Sequence, residues 1–285
     1  MLLEGKAVSM KIKDMVKGEV EKLNDVPCLA VIQVGNNQAS SVYVRNKIKA
    51  CDYTGIKSIS ILIDNDKNAK EIENYLLNLI NDLNNNNEVN GILVQLPLPT
   101  GINVETIINS IDPKKDVDCF HPYNIGKLYN KNTIFKPCTP AGIIEICKYY
   151  NVDLVGKHCV VIGRSDIVGK PMSQLLLHED ATVSICHSKT RNLSTITKSA
   201  DIIISAVGKA GFVTKEMVSE NTVVIDVGMN RNAEGKLCGD VNFSDVVENI
   251  KNISITPVPG GVGLTTVAML MVNTLNAYKL QNGLL

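Results

Sequence analysis

Seven short runs rich in β-branched residues, Leu29–Val34, Ser58–Ile63, Gly91–Val94, Cys159–Ile162, Thr182–Cys186, Ile202–Val207 and Val223–Val227, alternate with longer stretches that carry apolar residues at helical spacing. That alternation predicts an α/β chain with a mainly parallel sheet, because parallel neighbours need a crossover between them. Between the first two runs, ASSVYVRNKIKACDYTGIK opens with serines able to cap a helix and closes at Gly55, a residue suited to the left-handed position that ends one. The Asn-rich NDLNNNNEVNG reads as a solvated turn between a helix and a strand. From Lys114 to Pro140 the periodicity lapses and prolines mark turns, which suggests an ordered crossing between domains. The last apolar run, Thr265 to Tyr278, follows PVPGGVG and reads as a helix that returns to pack on the first domain.

Composition narrows the setting. A chain of 285 residues, 45% hydrophobic, can bury a substantial core in one large or two medium domains. Lys plus Arg and Asp plus Glu both number 29, so the chain lacks the net basic charge that marks binding to nucleic acid or an anionic membrane. The eight cysteines never form a C-x-x-C pair, which points to reduced thiols rather than a metal or redox site. The opening MLLEGKAVSMKIKDMVKGEV lacks the apolar run of a signal peptide, and no stretch is long and apolar enough to span a bilayer. The expected location is cytoplasmic.

In CVVIGRSDIVGKPMSQLLL an apolar strand runs into a glycine-bearing turn and then a helix, the arrangement used to hold a dinucleotide. Gly163 and Gly169 frame the turn, while Ser165 and Val168 stand where a G-x-G-x-x-G pattern has its second and third glycines. Backbone N–H groups and the positive end of the helix dipole would still favour a pyrophosphate; a plain turn capped by Ser165 or Asp166 is the alternative. The next strand ends in ATVSICHSKTR, with His187, Ser188, Lys189 and Arg191 but no carboxylate for ribose hydroxyls. A 2′-phosphate suits that environment, and Arg164 could clamp it, so NADP is the expected cofactor and NAD the alternative. Gly208 and Gly228, at two later strand ends, allow close approach of a flat ligand or serve as ordinary turn glycines.

In the first half, Tyr43 and Lys47 lie four residues apart on one helix face, a pairing that is also common on plain surfaces. Gln95 and Leu96 fall at the carboxyl end of GILVQLPLP, where ligands gather in open α/β sheets, although Gln95 could equally be a hydrogen-bonded strand terminus. Asp116 and Asp118 of KDVD precede the irregular crossing, a place used for chemistry and for turns alike. His121 has no second ligand at metal spacing, so no metal is expected and its role reads as structural or peripheral.

Taken in order, YVRNK (43–47), GILVQLPLP (91–99), KDVD (115–118), PCTPAG (137–142), GRSDIVGKP (163–171) and TPVPGGVG (256–263) resemble the bifunctional methylenetetrahydrofolate dehydrogenase/cyclohydrolase family over nearly the whole chain. The resemblance implies oxidation of 5,10-methylenetetrahydrofolate with NADP, then hydrolysis of the methenyl product to 10-formyltetrahydrofolate. It implies Lys47 as the catalytic amine with Gln95 beside it, Tyr43 against the folate ring and Asp118 on the polar edge of the pterin. Leu96, Pro259, Gly260 and Gly261 are the further substrate-binding candidates, and Gly163, Arg164, Ser165, Ser188 and Gly208 the cofactor-binding ones. The implied architecture is an N-terminal α/β catalytic domain (1–139, joined by 265–285) and a Rossmann-like parallel-sheet cofactor domain (140–264), paired as a homodimer through the cofactor half. Three positions depart from the family pattern: Cys119 where glycine is usual, Leu264 in GVGLTT, and the additional carboxylate Asp166. The rival readings are a shikimate-type two-domain dehydrogenase and a folate- or nucleotide-binding protein without turnover.

Overall fold

The computed structural model describes residues 1–131 and 133–285, the side chains of Gln38 and Ala39 excepted. Contacts divide the chain into two units, Lys11–Lys136 with Val267–Leu285, and Met1–Met10 with Pro137–Thr266. Helix α1 (Gly5–Val20) leads to β1 (Cys28–Val34), α2 (Gln38–Thr54), β2 (Lys57–Ile63), α3 (Ala69–Asn85), β3 (Gly91–Val94), α4 (Val104–Asn109) and α5 (Pro122–Tyr129). The strands form a parallel sheet in the order β2-β1-β3, with Cys28 opposite Lys57 and Leu29 opposite Gly91. Every residue of β1 is buried, as a central parallel strand covered on both faces requires. On α3, Ile72, Leu76, Ile80 and Leu83 form one apolar stripe against Ala30, Ile32 and Ile92 of the sheet.

The second unit contains α6 (Cys138–Tyr149), β4 (His158–Ile162), α7 (Gly169–His178), β5 (Thr182–Cys186), α8 (Leu193–Lys198), β6 (Ile202–Ser205), a 3-10 turn (Lys215–Met217) and β7 (Val223–Asp226). The chain continues through the hairpin β8 (Asn230–Arg231) and β9 (Leu237–Cys238), then α9 (Phe243–Asn249), β10 (Ser254–Ile255) and α10 (Val262–Gln281). Its parallel sheet has the order β10-β7-β6-β4-β5, the order of a doubly wound fold that reverses direction at β4. The amino-terminal residues belong here because Leu2 bridges Ile255 in parallel and Leu3 N–H donates to Ile255 O at 2.8 Å.

The α/β class, the seven strands and the returning helix are all present. From Val267 onward α10 packs with the first unit, where Asn273 Nδ2 donates to Val117 O and Lys136 O, both at 2.8 Å. Several local expectations need correction. Asn37, rather than a serine, caps α2 by accepting Ser40 N–H at 3.1 Å; Gly55 does end the helix, with φ +78°. Half of the Asn-rich run belongs to α3, and Asn84 ties that helix to the α4 end through Ser110 O (2.7 Å) and Asp112 N–H (2.9 Å). The crossing also contains α5, which has Pro122 in its first turn and His121 Nδ1 accepting Tyr123 N–H at its start. Asn132, in the same crossing, lies outside the described residues.

Candidate active site

In the first unit the candidate chemistry gathers at the carboxyl end of β3. Gln95 leaves the strand with its N–H bound to Ile32 O at 2.8 Å, and its side-chain Nε2 donates to Leu96 O at 2.6 Å. Those bonds turn Gln95 Oε1 toward α2, where Lys47 Nζ donates to it at 3.0 Å. Tyr43 stands one helical turn earlier and, like Lys47, is half-buried. Leu96 and Asp118 line one depression with Ile92, Val94, Ile108, Asp116 and Phe120, and Leu96 directly follows the Gln95 that accepts from Lys47. The Leu96–Pro97 peptide bond is cis.

Asp118 is held by its neighbours. Val117 packs where Gly91 has no side chain: a Cβ there would lie 2.7 Å from Val117 Cγ1. Lys115 is buried and donates from Nζ to Leu83 O (2.9 Å) and Asn86 O (2.8 Å), closing the carboxyl end of α3. Burial lowers the pKa of its ammonium. Asp116 accepts from Phe120 N–H, His121 N–H and Asn124 Nδ2 at 3.1, 2.9 and 2.8 Å, and burial raises its pKa. Both aspartates of the motif line the depression, but the carboxylate of Asp116 is already engaged by three donors, which gives it a structural role.

Cys119 has φ +60°, in the left-handed region that explains why glycine suits this position. Its thiol is buried and donates to Phe135 O at 3.4 Å, and burial raises its pKa. Two variants separate backbone strain from packing. Cys119→Gly is expected to unfold at higher denaturant than Cys119→Ala, by about 1 kcal/mol, although it removes more buried atoms. Equal midpoints in urea titrations would show that the backbone conformation carries no strain.

In the other unit the turn after β4 is built around close backbone approach. Gly163 has φ +131° and a Cβ on it would fall inside contact distance of Ala206 O. A Cβ on Gly169 would lie 2.6 Å from Gly163 C and 2.8 Å from Arg164 Cα, so Gly169 does the work of the third glycine one residue later. Ser165 Oγ accepts Val168 N–H (3.2 Å) and Gly169 N–H (3.3 Å), leaving its own O–H as a donor. Arg164 and Ser165 are exposed on this turn and Ser188 on the next, after β5; Ile162 and Cys186 are register partners, so the two turns are neighbours. Asp166 forms an ion pair with Lys170, so its additional charge is matched within α7.

Gly208, with φ +68°, follows β6, and Val207, Gly208 and Lys209 all donate backbone N–H bonds to the buried carboxylate of Asp240. Asp226, at the end of β7, accepts Gly228, Asp240 and Val241 N–H, each at 2.9 Å. Burial pushes Asp226 up to about 6 against the pull of those bonds. Both aspartates escape sequence reading because their partners are brought together only by the sheet. The sole signal is the glycine before or near each, since a Cβ on Gly228 or Gly239 would run into the carboxylate of the other strand end.

Pro259, Gly260 and Gly261 belong to this second unit, unlike the other substrate-binding candidates. Val258–Pro259 is cis, Gly260 has φ +110°, and Gly5 N–H donates to Gly260 O at 2.8 Å. Leu264 is 40% exposed, so the departure in GVGLTT leaves its side chain on the surface. Among the described residues, no three His, Cys, Asp or Glu side chains cluster as metal ligands, and no helix is long and apolar enough to cross a membrane.

Comparison with known proteins agrees with both halves. Residues 3–118 match the tetrahydrofolate dehydrogenase/cyclohydrolase catalytic domain, and residues 137–282 match the NAD(P)-binding domain of the same family. Bifunctional protein FolD of Agathobacter rectalis is 54% identical, with 98% of this chain and 99% of the relative aligned. The bifunctional methylenetetrahydrofolate dehydrogenase/cyclohydrolase structure from Campylobacter jejuni is 48% identical with a TM-score of 0.91, covering 98% of each chain. A Trypanosoma brucei enzyme complexed with NADP and inhibitor is 35% identical with a TM-score of 0.90, covering 98% of this chain and 97% of that one. Shikimate dehydrogenase of Aquifex aeolicus, representing the rival reading, is 14% identical with a TM-score of 0.54 and shares the fold alone. Two family domains in sequence, and relatives aligned from end to end, make this chain a member of the tetrahydrofolate dehydrogenase/cyclohydrolase family.

Proposed function

We propose that this enzyme oxidises 5,10-methylenetetrahydrofolate with NADP and then hydrolyses the methenyl product to 10-formyltetrahydrofolate. The observation that carries this reading is the Lys47–Gln95 hydrogen bond of 3.0 Å beside the depression lined by Asp118. Asp118 binds the pterin edge, whose ring N–H and amino donors suit a carboxylate in a paired, charge-assisted geometry. Tyr43 lies against the folate ring, and Leu96 adds apolar contact at the strand end. Gln95 orients the ε-amino group of Lys47, which uses one of its donors on Gln95 Oε1 and keeps the others for substrate or water.

A dinucleotide fits the second unit, because the missing side chain of Gly163 lets the turn close against Ala206 O at the carboxyl edge of the parallel sheet, where Arg164 and Ser165 stay exposed. A bound NADP would supply the acceptor for the hydride of the methylene carbon. Gly163 and Gly208 let backbone approach the ligand, Arg164 clamps the 2′-phosphate, and Ser165 and Ser188 donate hydroxyl hydrogen bonds. For the hydrolytic step, Lys47 moves the protons as water adds to the methenyl carbon, and the adduct opens to the N10-formyl product.

The test is an absorbance assay with methylenetetrahydrofolate and each cofactor in turn. Arg164→Ala is expected to raise KM for NADP by roughly 10- to 100-fold, the scale of a lost charge-assisted pair, and to leave KM for NAD within about twofold. A wild-type preference for NAD that the substitution leaves untouched would overturn the 2′-phosphate assignment. The same reading makes the protein a cytoplasmic homodimer through the cofactor half. In support, edge strand β5 and neighbouring α7 present Ile185 at 42% and Leu177 at 49% exposure. Sedimentation of the purified protein tests the oligomeric state.

A further inference from the structure

The carboxylate of Asp240 has no solvent exposure and is surrounded by donors. Oδ2 accepts from Val207 N–H (2.7 Å), Gly208 N–H (3.2 Å) and Ser205 Oγ (3.3 Å). Oδ1 accepts from Lys209 N–H and Asn230 Nδ2, both at 2.9 Å. Three consecutive N–H groups converging on one carboxylate define a nest, the backbone shape that elsewhere receives an external anion. Here the anion is internal, so these amides are consumed in setting the shape of the loop. Asp240 is itself held through its own N–H by Asp226 Oδ1 at 2.9 Å, and Asp226 N–H is held by Thr256 Oγ1 at 2.8 Å.

The loop that Asp240 shapes begins beside the dinucleotide turn. Strands β6 and β4 are neighbours, and it is the Ala206 carbonyl, immediately before the first amide bound by Asp240, that occupies the space left by the missing side chain of Gly163. Turning the 207–209 peptides would move that carbonyl and with it the wall on which Gly163 rests. We infer that Asp240 is a positioning residue for the cofactor, holding the Val207–Lys209 loop in the form that lets the Gly163 turn receive the dinucleotide. The inference rests on the assignment of that turn to NADP. It assigns Asp240 no contact with the reacting atoms; the residue acts through backbone.

The experiment exploits the two activities, because only oxidation consumes the dinucleotide. Asp240→Asn keeps the side-chain shape but turns an amide toward N–H donors that need an acceptor. In the full-length enzyme it is expected to raise Kd for NADP by about tenfold or more, the scale of hydrogen bonds lost to a charged acceptor. Hydrolysis of methenyltetrahydrofolate without cofactor should stay within about twofold of wild type. Unchanged NADP affinity in a folded variant, or parallel loss of both activities together with the thermal midpoint, would overturn the inference. If wild type itself fails to bind NADP, the cofactor assignment fails and the inference with it. Should Asp240→Asn not fold, Asn230→Ala removes one donor to Asp240; it is expected to raise Kd about threefold, and an unaltered Kd would then count against Asp240.

Discussion

Lys47→Met is expected to lower methenyl hydrolysis by roughly 100- to 10,000-fold, the range that a positioned proton-transfer group contributes. Methionine keeps an unbranched apolar stem on a helix face that is only half-buried, so α2 should survive the exchange. What disappears is the amine and its bond to Gln95 Oε1. Gln95 remains anchored through Leu96 O and Ile32 O, which keeps the strand end in place and isolates the effect in the missing amine. The decay of methenyl absorbance reads the result directly. A folded variant that hydrolyses the substrate at the wild-type rate would remove Lys47 from the chemistry.

Gly163→Ala should have the opposite selectivity. A methyl group must enter the contact distance of Ala206 O, and alanine must adopt φ +131°, a conformation costing about 1–3 kcal/mol for a residue with a side chain. The turn can relieve both problems only by drawing back from β6, which deforms the dinucleotide cradle. NADP-dependent oxidation is expected to fall on the order of 100-fold or more, the scale of a slight misplacement of reacting groups. Cofactor-free hydrolysis should persist, since Lys47, Gln95 and Asp118 belong to the other unit. Measuring both reactions on one preparation decides the matter; equal loss of the two would mean that the substitution unfolds the protein.

Strands and long helices were legible because burial imposes periodicity on residues close in sequence. All seven runs became strands β1–β7 with ends displaced by no more than two residues. The short pieces β8, β9 and β10 carry only two residues each, too few for any period to register. Helix α5 hid inside PYNIGKLY, where an internal glycine and asparagine weaken the helical pattern while His121 and Pro122 start the helix. At the candidate site, glycine was the most informative residue: the Cys119 departure marks a left-handed position, and Gly163 marks close approach. Asp226 and Asp240 stayed invisible because their function depends on bonds across loops from different strands.

Each unit is assembled from two separated stretches of chain, and this fixes the order in which the protein can mature on the ribosome. Residues 11–136 emerge early but lack Val267–Leu285, the part of α10 whose Asn273 secures Val117 and Lys136. Met1–Met10 are made long before their partner Ile255. The unit built on residues 11–136 cannot reach its final form before the last helix leaves the exit tunnel, so in nascent chains halted near residue 260 that stretch should remain open to protease.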